Sequence, residues 1–419
     1  MFVKEEYDMN INRCLVKILV ISAMICITVT TSIGKANEWP WWRGPNRDGK
    51  SPDTGLLKEW PDGGPKLLWQ VDGLGQGFAT VSVSGGSIYT TGDVDDKLSL
   101  FAFDMNGKQK WKVQIDKAWT KNHPGSRSTP SVDNDRLYIL SGNGILACLD
   151  TKTGRLKWSK DLQSFGGKPG GWGYAESVLI YDNFAIAKPG GDNCVMAFDK
   201  LTGDVIWQSK TFNAGPEYSS CVPFTHNQIP LIATGTRKGI VCLSAKTGEV
   251  LWNNDWSANN TANCPDPVYA DGHIFWANGY KKGGICLRLG NSGNQISAKE
   301  AWTTNDMVCH HGGYIVHEGY IYGNNGSGWS CLELKTGKLK WNEKAVGKGS
   351  LCFADGMLYL YGEKGGKAAL ATCSPDGMEI KGTVTVQGSG TSWAHPVVIG
   401  GRLYLRYADN LYCFDVKAR

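Results

Sequence analysis

A seven-residue phrase that ends in tryptophan recurs along this 419-residue chain and limits what the chain can fold into. The phrase reads KTGRLKW at residues 152–158, LTGDVIW at 201–207, KTGEVLW at 246–252 and KTGKLKW at 335–341. Variant copies end at Trp111 and Trp302, and a copy at residues 375–380 has lost its tryptophan. Successive tryptophans lie between 39 residues (Trp302 to Trp341) and 50 residues (Trp252 to Trp302) apart, a period typical of propeller blades.

Two further strand patterns precede each phrase. A turn followed by an apolar strand occurs at residues 86–89, 135–138, 183–186, 228–231, 272–275, 319–322, 356–359 and 401–404. A third strand follows it, as in GILACL at residues 144–149 and GIVCL at 239–243. Turn, strand, turn, strand and a final tryptophan strand indicate a four-stranded antiparallel blade. The sequence therefore predicts an all-β protein, an eight-bladed β-propeller of four-stranded antiparallel blades.

The eighth repeat lacks its tryptophan strand. After LYCFD at residues 411–415 the repeat stops, but a spare copy of the missing strand, KLLWQV, occurs at residues 66–71. An open ring would leave an unpaired sheet edge, which is a template for aggregation. We therefore expect the N-terminal strand to pair into the last blade and close a propeller that spans residues 65–419.

Small residues recur six positions before the turn glycine. They are Cys148, Ala197, Cys242 and Cys331, with Cys413 at the matching place of the last blade. Cysteine and alanine interchange there because only a small apolar group fits between packed blades, and buried cysteine behaves as such a group. We expect reduced structural cysteines, with scattered disulfides as the alternative for an exported chain.

The first 36 residues have the pattern of an export signal. Arg13 and Lys17 precede an apolar run at residues 18–29, and small and polar residues lead to a predicted cleavage site after Ala36. A retained membrane anchor is the alternative, although the run is short for a spanning helix. We expect a periplasmic or extracellular protein without a stable membrane span once the signal is removed.

The charge of the chain argues against one class of partner. The formal net charge of +5 is spread along the sequence and forms no basic stripe, which argues against nucleic acid. A protein, a glycan or a small ligand remains as the expected partner. We expect the closed ring to be a monomer.

The repeated phrase resembles the tryptophan repeat of the pyrroloquinoline-quinone (PQQ)-like β-propeller superfamily. The match is close in CLDTKTGRLKW at residues 148–158 and AFDKLTGDVIW at 197–207, and the resemblance extends over about residues 65–416. In that superfamily each tryptophan stacks between blades and is bound by the turn of the neighbouring repeat. The resemblance implies this structural role for Trp69, Trp111, Trp158, Trp207, Trp252, Trp302 and Trp341.

A tryptophan-rich segment at residues 37–64 precedes the repeats. Its sequence WPWWRGPNRDG at residues 39–49 resembles the lead-in of secreted quinoprotein-like propellers. Three tryptophans near one arginine should lie against the propeller, since indole rings attract the guanidinium group. We expect this segment to pack on the propeller as a cap, with a plug or docking role as the alternative.

The loops that enter the innermost strands of a propeller converge on a central funnel. In this chain the candidate side chains on those loops are Arg127, Tyr174, Glu176, Asn263, Asp266, His310, His311, Trp393 and His395. A carboxylate, an imidazole pair, an arginine and an aromatic ring meeting at one axis would form a polar pocket suited to a metal ion or a small anion.

The adjacent pair His310 and His311 stands out because the chain has seven histidines in all. Neighbouring residues of a strand point to opposite faces, so one imidazole would face the funnel unless Gly312 and Gly313 allow a bulge. In the functional interpretation an imidazole of this pair binds a ligand or acts as a general base, and His311 is the candidate catalytic residue. Hydrogen bonding to blade loops is the alternative.

The resemblance also implies a cofactor that the sequence supports poorly. Quinoprotein dehydrogenases hold calcium with carboxylate and amide oxygens beside PQQ and use an aspartate as base. The resemblance implies this role for Glu176, Asn263 and Asp266, with Asp266 as base. Carboxylates that are simply solvated in the funnel are the alternative interpretation of Glu176 and Asp266. However, the chain has no Cys-Cys pair and no Cys-x-x-Cys-His haem site. The sequence favours a non-catalytic exported binding or scaffold protein that acts through its funnel or blade edges. A PQQ- and calcium-dependent dehydrogenase of alcohols, sugars or polymers is the alternative.

Overall fold

The computed structural model describes residues 38–292, 295–326 and 328–418, so the predicted signal at residues 1–36 lies outside the described residues. Within them the chain forms eight four-stranded antiparallel sheets, which confirms the predicted eight-bladed all-β propeller. Besides strands and turns there is a short 3-10 helix at Leu162–Phe165. No helix in the described part of the chain is long and apolar enough to cross a membrane.

The blades follow one another along the chain, and in each blade the strands are named from the innermost outward. Blade 1 is β2 (Ser82–Ser84), β3 (Ser87–Val94), β4 (Lys97–Asp104) and β5 (Gln109–Lys117), and blade 2 is β6 (Ser131–Asp133), β7 (Arg136–Leu140), β8 (Ile145–Asp150) and β9 (Leu156–Asp161). Blade 3 is β10 (Leu179–Tyr181), β11 (Phe184–Ala187), β12 (Met196–Asp199) and β13 (Val205–Gln208), and blade 4 is β14 (Val222–His226), β15 (Ile229–Thr236), β16 (Gly239–Ser244) and β17 (Val250–Asn254). Blade 5 is β18 (Val268–Ala270), β19 (His273–Asn278), β20 (Gly283–Ser292) and β21 (Gln295–Thr304), and blade 6 is β22 (Tyr314–His317), β23 (Tyr320–Asn325), β24 (Gly328–Glu333) and β25 (Leu339–Glu343). Blade 7 is β26 (Gly349–Ala354), β27 (Met357–Gly362), β28 (Lys367–Thr372) and β29 (Ile380–Thr385), and blade 8 is β30 (Val397–Ile399), β31 (Arg402–Tyr407), β32 (Asn410–Asp415) and β1 (Lys66–Val71).

Tight turns and burial determine where these strands begin and end. The hairpin between β26 and β27 turns at Asp355 and Gly356, which both have positive φ angles of 49° and 76°. This conformation matches the right-handed twist of the flanking strands and favours Asp-Gly. In this blade the second strand, β27, is fully buried between its neighbours, since all six of its residues are buried. The core therefore lies in the stacked faces of adjacent blades.

The N-terminal strand closes the ring, as predicted. Strand β1 runs antiparallel to β32, with Lys66 opposite Asp415 and Val71 opposite Leu411. A bulge between Leu67 and Trp69 shifts the register by one residue. The same shift beside the tryptophan occurs in other blades, for example where β9 pairs with β8. Strand β1 thus takes the place of an ordinary outermost strand.

The tryptophan of an outermost strand packs on the turn glycine of the next blade. The ring of Trp69 lies so close to Gly107 that a Cβ atom there would come within 2.9 Å of it. Gly107 also has a φ of 81°, a conformation that glycine adopts without strain. The indole N–H of Trp69 donates to the carbonyl oxygen of Met105 in the same turn at 3.0 Å. This contact joins two blades through the packed face of the indole and one hydrogen bond.

Other tryptophans repeat this contact along the ring. Trp111 donates to the carbonyl of Thr151 at 3.1 Å and Trp158 to that of Lys200 at 3.2 Å. The N–H of Trp207 is buried without a partner, although its ring still packs on Gly248. The indole can therefore pack on the turn glycine without making the hydrogen bond. The eleven cysteines among the described residues are all free, and most are buried.

Residues 39–51 of the segment that precedes β1 cross the central channel. Trp39 exchanges backbone hydrogen bonds with Val83 of blade 1, and Gly49 accepts one from Phe353 of blade 7. Between them the guanidinium group of Arg47, which is 1% exposed, donates to the backbone carbonyls of Ser177 and Cys221 in blades 3 and 4. We call residues 39–51 the plug, because they bond to the innermost strands of several blades across the axis.

We expect Trp69→Ala to loosen ring closure and lower the free energy of unfolding by about 3 kcal/mol, as large-to-small changes at packed sites do. Leu67→Ala is the matched control, since Leu67 lies on the same strand and is 46% exposed. Chemical denaturation followed by fluorescence and circular dichroism measures both. Equal effects of the two substitutions would contradict a closing role for the indole.

Candidate functional site

A cavity of about 380 Å³ lies where the loops entering the innermost strands converge. Its walls come from loops of most blades, and its floor from the plug. The lining residues are Trp42, Phe78, His123, Arg127, Trp172, Ala175, Tyr218, Ala262, Cys264, Tyr280, His310, His311, Trp393 and His395. We call this space the funnel cavity.

Aromatic rings make up most of the cavity wall. Phe78 and Trp393 lie with ring centroids 4.6 Å apart, and Trp172 meets Tyr218 edge-on at 5.5 Å. On the floor, Trp42 packs against His395 at 4.5 Å. Such pairs prefer tilted and edge-to-face arrangements, which hold each ring in a fixed orientation. The cavity is therefore preformed and largely aromatic, and Arg127 and four histidines add polar groups to its lining.

Arg127 belongs to the wall and also holds the loop beside it. Its guanidinium group donates to the backbone carbonyls of Asn122, His123 and Gly125, and it lies 5.7 Å from the centre of the Phe78 ring. Burial lowers the pKa of Arg127 to about 10, with nearby Asp93 opposing the shift. The group stays charged at neutral pH, so this side of the cavity is positive.

His310 and His311 both line the cavity, which strand alternation would not allow without the departure from strand geometry considered for Gly312 and Gly313. Residues 309–313 form bends ahead of β22 rather than strand, so strand alternation does not apply. Gly312 approaches the carbonyl of Gly349 so closely that a Cβ atom would lie 1.7 Å from its oxygen. Gly313 has a φ of 66°. The two glycines thus allow the bend that presents both rings.

The two imidazoles are neutral at neutral pH. Burial, the neighbouring His311 and Lys348 lower the pKa of His310 to about 3. Burial also lowers the pKa of His311, against the opposing effect of a hydrogen bond with Glu363. The Nε2 atom of His310 lies 3.2 Å from the hydroxyl of Tyr280. Neutral imidazoles can accept as well as donate hydrogen bonds toward the cavity.

Glu363 is a site residue that sequence reasoning missed. One carboxylate oxygen, Oε2, accepts from His311 Nε2 at 3.2 Å and from Trp393 Nε1 at 3.1 Å, and lies 3.0 Å from Lys348 Nζ. Burial alone would raise the pKa of Glu363, but the bonds from His311 and Lys348 outweigh it and lower the pKa to about 2. Glu363 follows β27, the second strand of its blade, whereas the predicted candidates lie on loops that enter innermost strands.

Asp266 serves the fold rather than the cavity wall. Its Oδ2 accepts from the indole N–H of Trp42 at 2.7 Å, and its Oδ1 accepts from the backbone N–H of Ser220 at 2.6 Å. Burial raises its pKa, while Arg43 and these hydrogen bonds oppose the shift. Both oxygens are therefore used to fix the cavity floor and the loop of blade 4.

Glu176 and Asn263 also lie outside the cavity lining. Glu176 is 2% exposed and one of its oxygens accepts from the backbone N–H of Lys188, while the other is buried without a partner. Burial raises the pKa of Glu176 to about 7, against the opposing charge of Lys188. The amide of Asn263 is fully buried: its oxygen accepts from the hydroxyl of Ser257 and its nitrogen donates to the carbonyl of Thr236 in β15.

The candidates thus divide into two groups. Arg127, His310, His311, Trp393 and His395 share the funnel cavity. The others, Tyr174, Glu176, Asn263 and Asp266, are buried in the packing around it, where Tyr174 donates to the carbonyl of Pro189 at 2.8 Å. The rest of the lining was not among the predicted candidates and comprises Trp42, Phe78, His123, Trp172, Ala175, Tyr218, Ala262, Cys264 and Tyr280. Among these, Phe78, His123, Trp172 and Tyr218 are aromatic rings on loops that enter innermost strands, a signal that could have identified them.

A family model matches more than half of the chain. This model is that of the PQQ_2 family, which is described as outer membrane protein assembly factor BamB, and it matches residues 99–343. Tetrathionate hydrolase of Acidithiobacillus ferrooxidans is 24% identical over 200 residues, which are 45% of this chain and 38% of that protein. The dehydrogenase subunit of a quinone alcohol dehydrogenase from Komagataeibacter europaeus is 25% identical over 181 residues, 40% of this chain and 24% of that protein. The chain therefore matches well under half the length of these curated relatives.

Solved structures share the fold at low sequence identity. BamB from Moraxella catarrhalis has a TM-score of 0.62 and 15% identity, covering 84% of this chain and 98% of that one. A europium-containing methanol dehydrogenase has a TM-score of 0.66 and 12% identity, covering 88% and 89% of the two chains. A quinohemoprotein alcohol dehydrogenase from Comamonas testosteroni has a TM-score of 0.63 and 13% identity, covering 91% and 81%. These similarities show a common fold.

The raised pKa of Glu176 predicts a pH-dependent effect of Glu176→Gln. Ionising this carboxyl is harder in the fold than in the unfolded chain, so its contribution to stability falls as pH rises from about 4.5 to about 7. Glutamine cannot ionise. The free energy of unfolding of the variant, relative to that of the original protein, should therefore increase by about 3 kcal/mol from pH 5 to pH 8.

Denaturant titrations at the two pH values measure this difference. Glu300→Gln is the control, because Glu300 is exposed on an outer strand. A Glu176→Gln difference that stays constant with pH would show that this carboxyl is not under a burial penalty.

Proposed function

Because the chain belongs to the family of PQQ-like β-propellers, we propose that it is an exported binding protein that holds a glycan or another small neutral ligand in the funnel cavity. The observation that carries this proposal is the aromatic box of about 380 Å³ at the propeller axis. Export remains a proposal from the signal pattern of residues 13–36.

The shape of the cavity supports a small ligand. Ligand pockets usually measure about 300–1,000 Å³ and combine apolar and aromatic walls with a few polar groups. The rings of Trp172 and Trp393 offer flat apolar faces, and the hydroxyls of Tyr218 and Tyr280 offer polar edges. A sugar ring has a flat face of C–H groups and an edge of hydroxyls, so it complements such a wall.

The charges around the cavity favour a neutral or weakly anionic ligand. Arg127 is positive, and the carboxylate of Glu363 is already neutralised by Lys348 at 3.0 Å. The lowered pKa values of His310 and His311 keep both imidazoles uncharged at neutral pH. A cationic ligand would therefore meet no unpaired carboxylate among the lining residues.

The plug closes one end of the funnel cavity, so a ligand can reach the cavity only from the opposite end. Trp42 closes the cavity floor through its bond to Asp266, and the plug behind it bonds to the innermost strands. The ligand would therefore enter and leave through the mouth of the funnel. Exposed rim residues such as Tyr280, which is 47% exposed, would be the first to meet it.

The residues do not fit the calcium and PQQ of the dehydrogenase alternative. Both oxygens of Asp266 and the whole amide of Asn263 are engaged in protein hydrogen bonds. Glu176 has one free oxygen, but it is buried away from the lining of the cavity. A calcium ion needs several converging oxygen ligands, and these three side chains do not offer them. The proposal therefore assigns no redox step.

We expect isothermal titration calorimetry with a panel of monosaccharides, disaccharides and aromatic carboxylates to identify a saccharide that binds. Trp172→Ala should weaken that binding about tenfold, because it removes an aromatic face worth about 1.4 kcal/mol. Trp256→Ala is the matched control, since Trp256 lies outside the cavity under Lys282.

PQQ with Ca²⁺ is a further arm of the same experiment, and we expect no stoichiometric binding and no dye reduction. Saturable PQQ binding with dye reduction would replace the binding proposal with the dehydrogenase. Saccharide binding that Trp172→Ala and Trp256→Ala affect equally would place the ligand outside the funnel.

A further inference from the structure

One corner of the funnel wall holds three potential metal ligands. One ligand atom each from His310, His311 and Glu363 lies within 4.8 Å of the other two. We propose that these three residues bind a divalent transition-metal ion of the zinc type. Imidazole and carboxylate together are a donor set that such ions prefer, whereas calcium and magnesium prefer oxygen alone. The proposal does not need the funnel ligand, because the metal alone is the probe.

The spacing of two of these groups already suits a metal. His311 Nε2 and Glu363 Oε2 are 3.2 Å apart. Two ligands at about 2.0–2.1 Å from a tetrahedral zinc ion lie about 3.3 Å from each other. An ion can therefore take the place of the hydrogen between these two atoms with little movement of either side chain. The Nε2 proton of the neutral His311 ring would move to the unpaired Nδ1 of the same ring, so that Nε2 binds the ion without net release of a proton.

Neither imidazole is fully used by the fold. The Nδ1 atoms of His310 and His311 are both buried without a hydrogen-bond partner. Buried polar atoms in proteins are nearly always paired, so two unpaired nitrogens on adjacent residues are unusual. The Nδ1 atom of His310 therefore remains available to an ion, and Nδ1 of His311 can carry the ring proton once Nε2 of that ring binds the ion.

Neighbouring groups hold the three ligands in place. The Tyr280 hydroxyl lies 3.2 Å from His310 Nε2, and Trp393 Nε1 donates to Glu363 Oε2 at 3.1 Å. Such outer hydrogen bonds orient metal ligands and raise affinity. Both histidines also face the funnel cavity, which leaves room for water or a ligand atom to complete the coordination of the ion.

Lys348 opposes the ion and provides a specific test. Its ammonium group lies 3.0 Å from the same Glu363 oxygen that would bind the metal. Two cations cannot share that position without strong repulsion. The Lys348 side chain is 29% exposed and can turn toward solvent, but its charge lowers metal affinity. Removing the charge should therefore tighten metal binding, which a merely structural cluster would not show.

The experiment uses the full chain, purified without a polyhistidine tag and treated with chelator. We expect calorimetry to show one Zn²⁺ per chain, and Co²⁺ to develop visible absorption when it binds. His310→Ala and His311→Asn should each weaken binding about tenfold or more, while asparagine preserves a donor toward Glu363. Lys348→Met should strengthen binding several-fold. Circular dichroism melting confirms that each variant is folded.

Cys264→Ser is the matched control, because this partly exposed thiol lines the same cavity and could bind zinc by itself. Its substitution should leave the affinity unchanged. The proposal is overturned if the chain takes up no stoichiometric ion, if folded histidine variants bind as well as the original, or if Lys348→Met fails to tighten binding. Since the titration contains no saccharide, its failure leaves the ligand proposal standing.

Discussion

The contact between an outermost-strand tryptophan and the turn glycine of the next blade is the interaction on which the architecture depends. At Gly107 there is no room for a Cβ atom beside the ring of Trp69, so packing of the indole requires glycine at this turn position. Repetition of this contact fixes the angle between neighbouring sheets, and the angle fixes how many sheets close a ring. The funnel exists because eight blades, seven of which carry this tryptophan, bring the inner loops around one axis.

The plug closes one end of the channel along that axis and leaves a cavity that opens at the mouth of the funnel. Arg47 supplies donors to backbone carbonyls in blades 3 and 4, and Gly49 bonds to blade 7. Trp42 then presents its ring upward as a floor and fixes Asp266 below it. Side chains that would otherwise face an aqueous channel are thus used for packing. The chemistry of the funnel is left to the aromatic wall, the imidazole pair and Glu363.

The blades and the closing strand could be predicted from sequence because both depend on local, repeated patterns. The site was harder to predict, because the position of a residue in a loop identifies its blade but not the direction of its side chain. Asp266 turns to the indole of Trp42, a contact between residues far apart in sequence. His310 and His311 share the cavity because their segment bends instead of continuing as strand. Glu363 was missed because it follows a second strand rather than preceding an innermost one.

Pairing of β1 with β32 has a consequence for biogenesis. The two strands lie at opposite ends of the described chain, so the first strand to be synthesised must wait for the last before it finds its partner. Until then, β1 and the unpaired edge of β32 expose backbone groups that can pair with other chains. Non-local pairing of this kind slows folding and leaves aggregation-prone intermediates. Protection by a chaperone would therefore matter most in the interval before the ring closes.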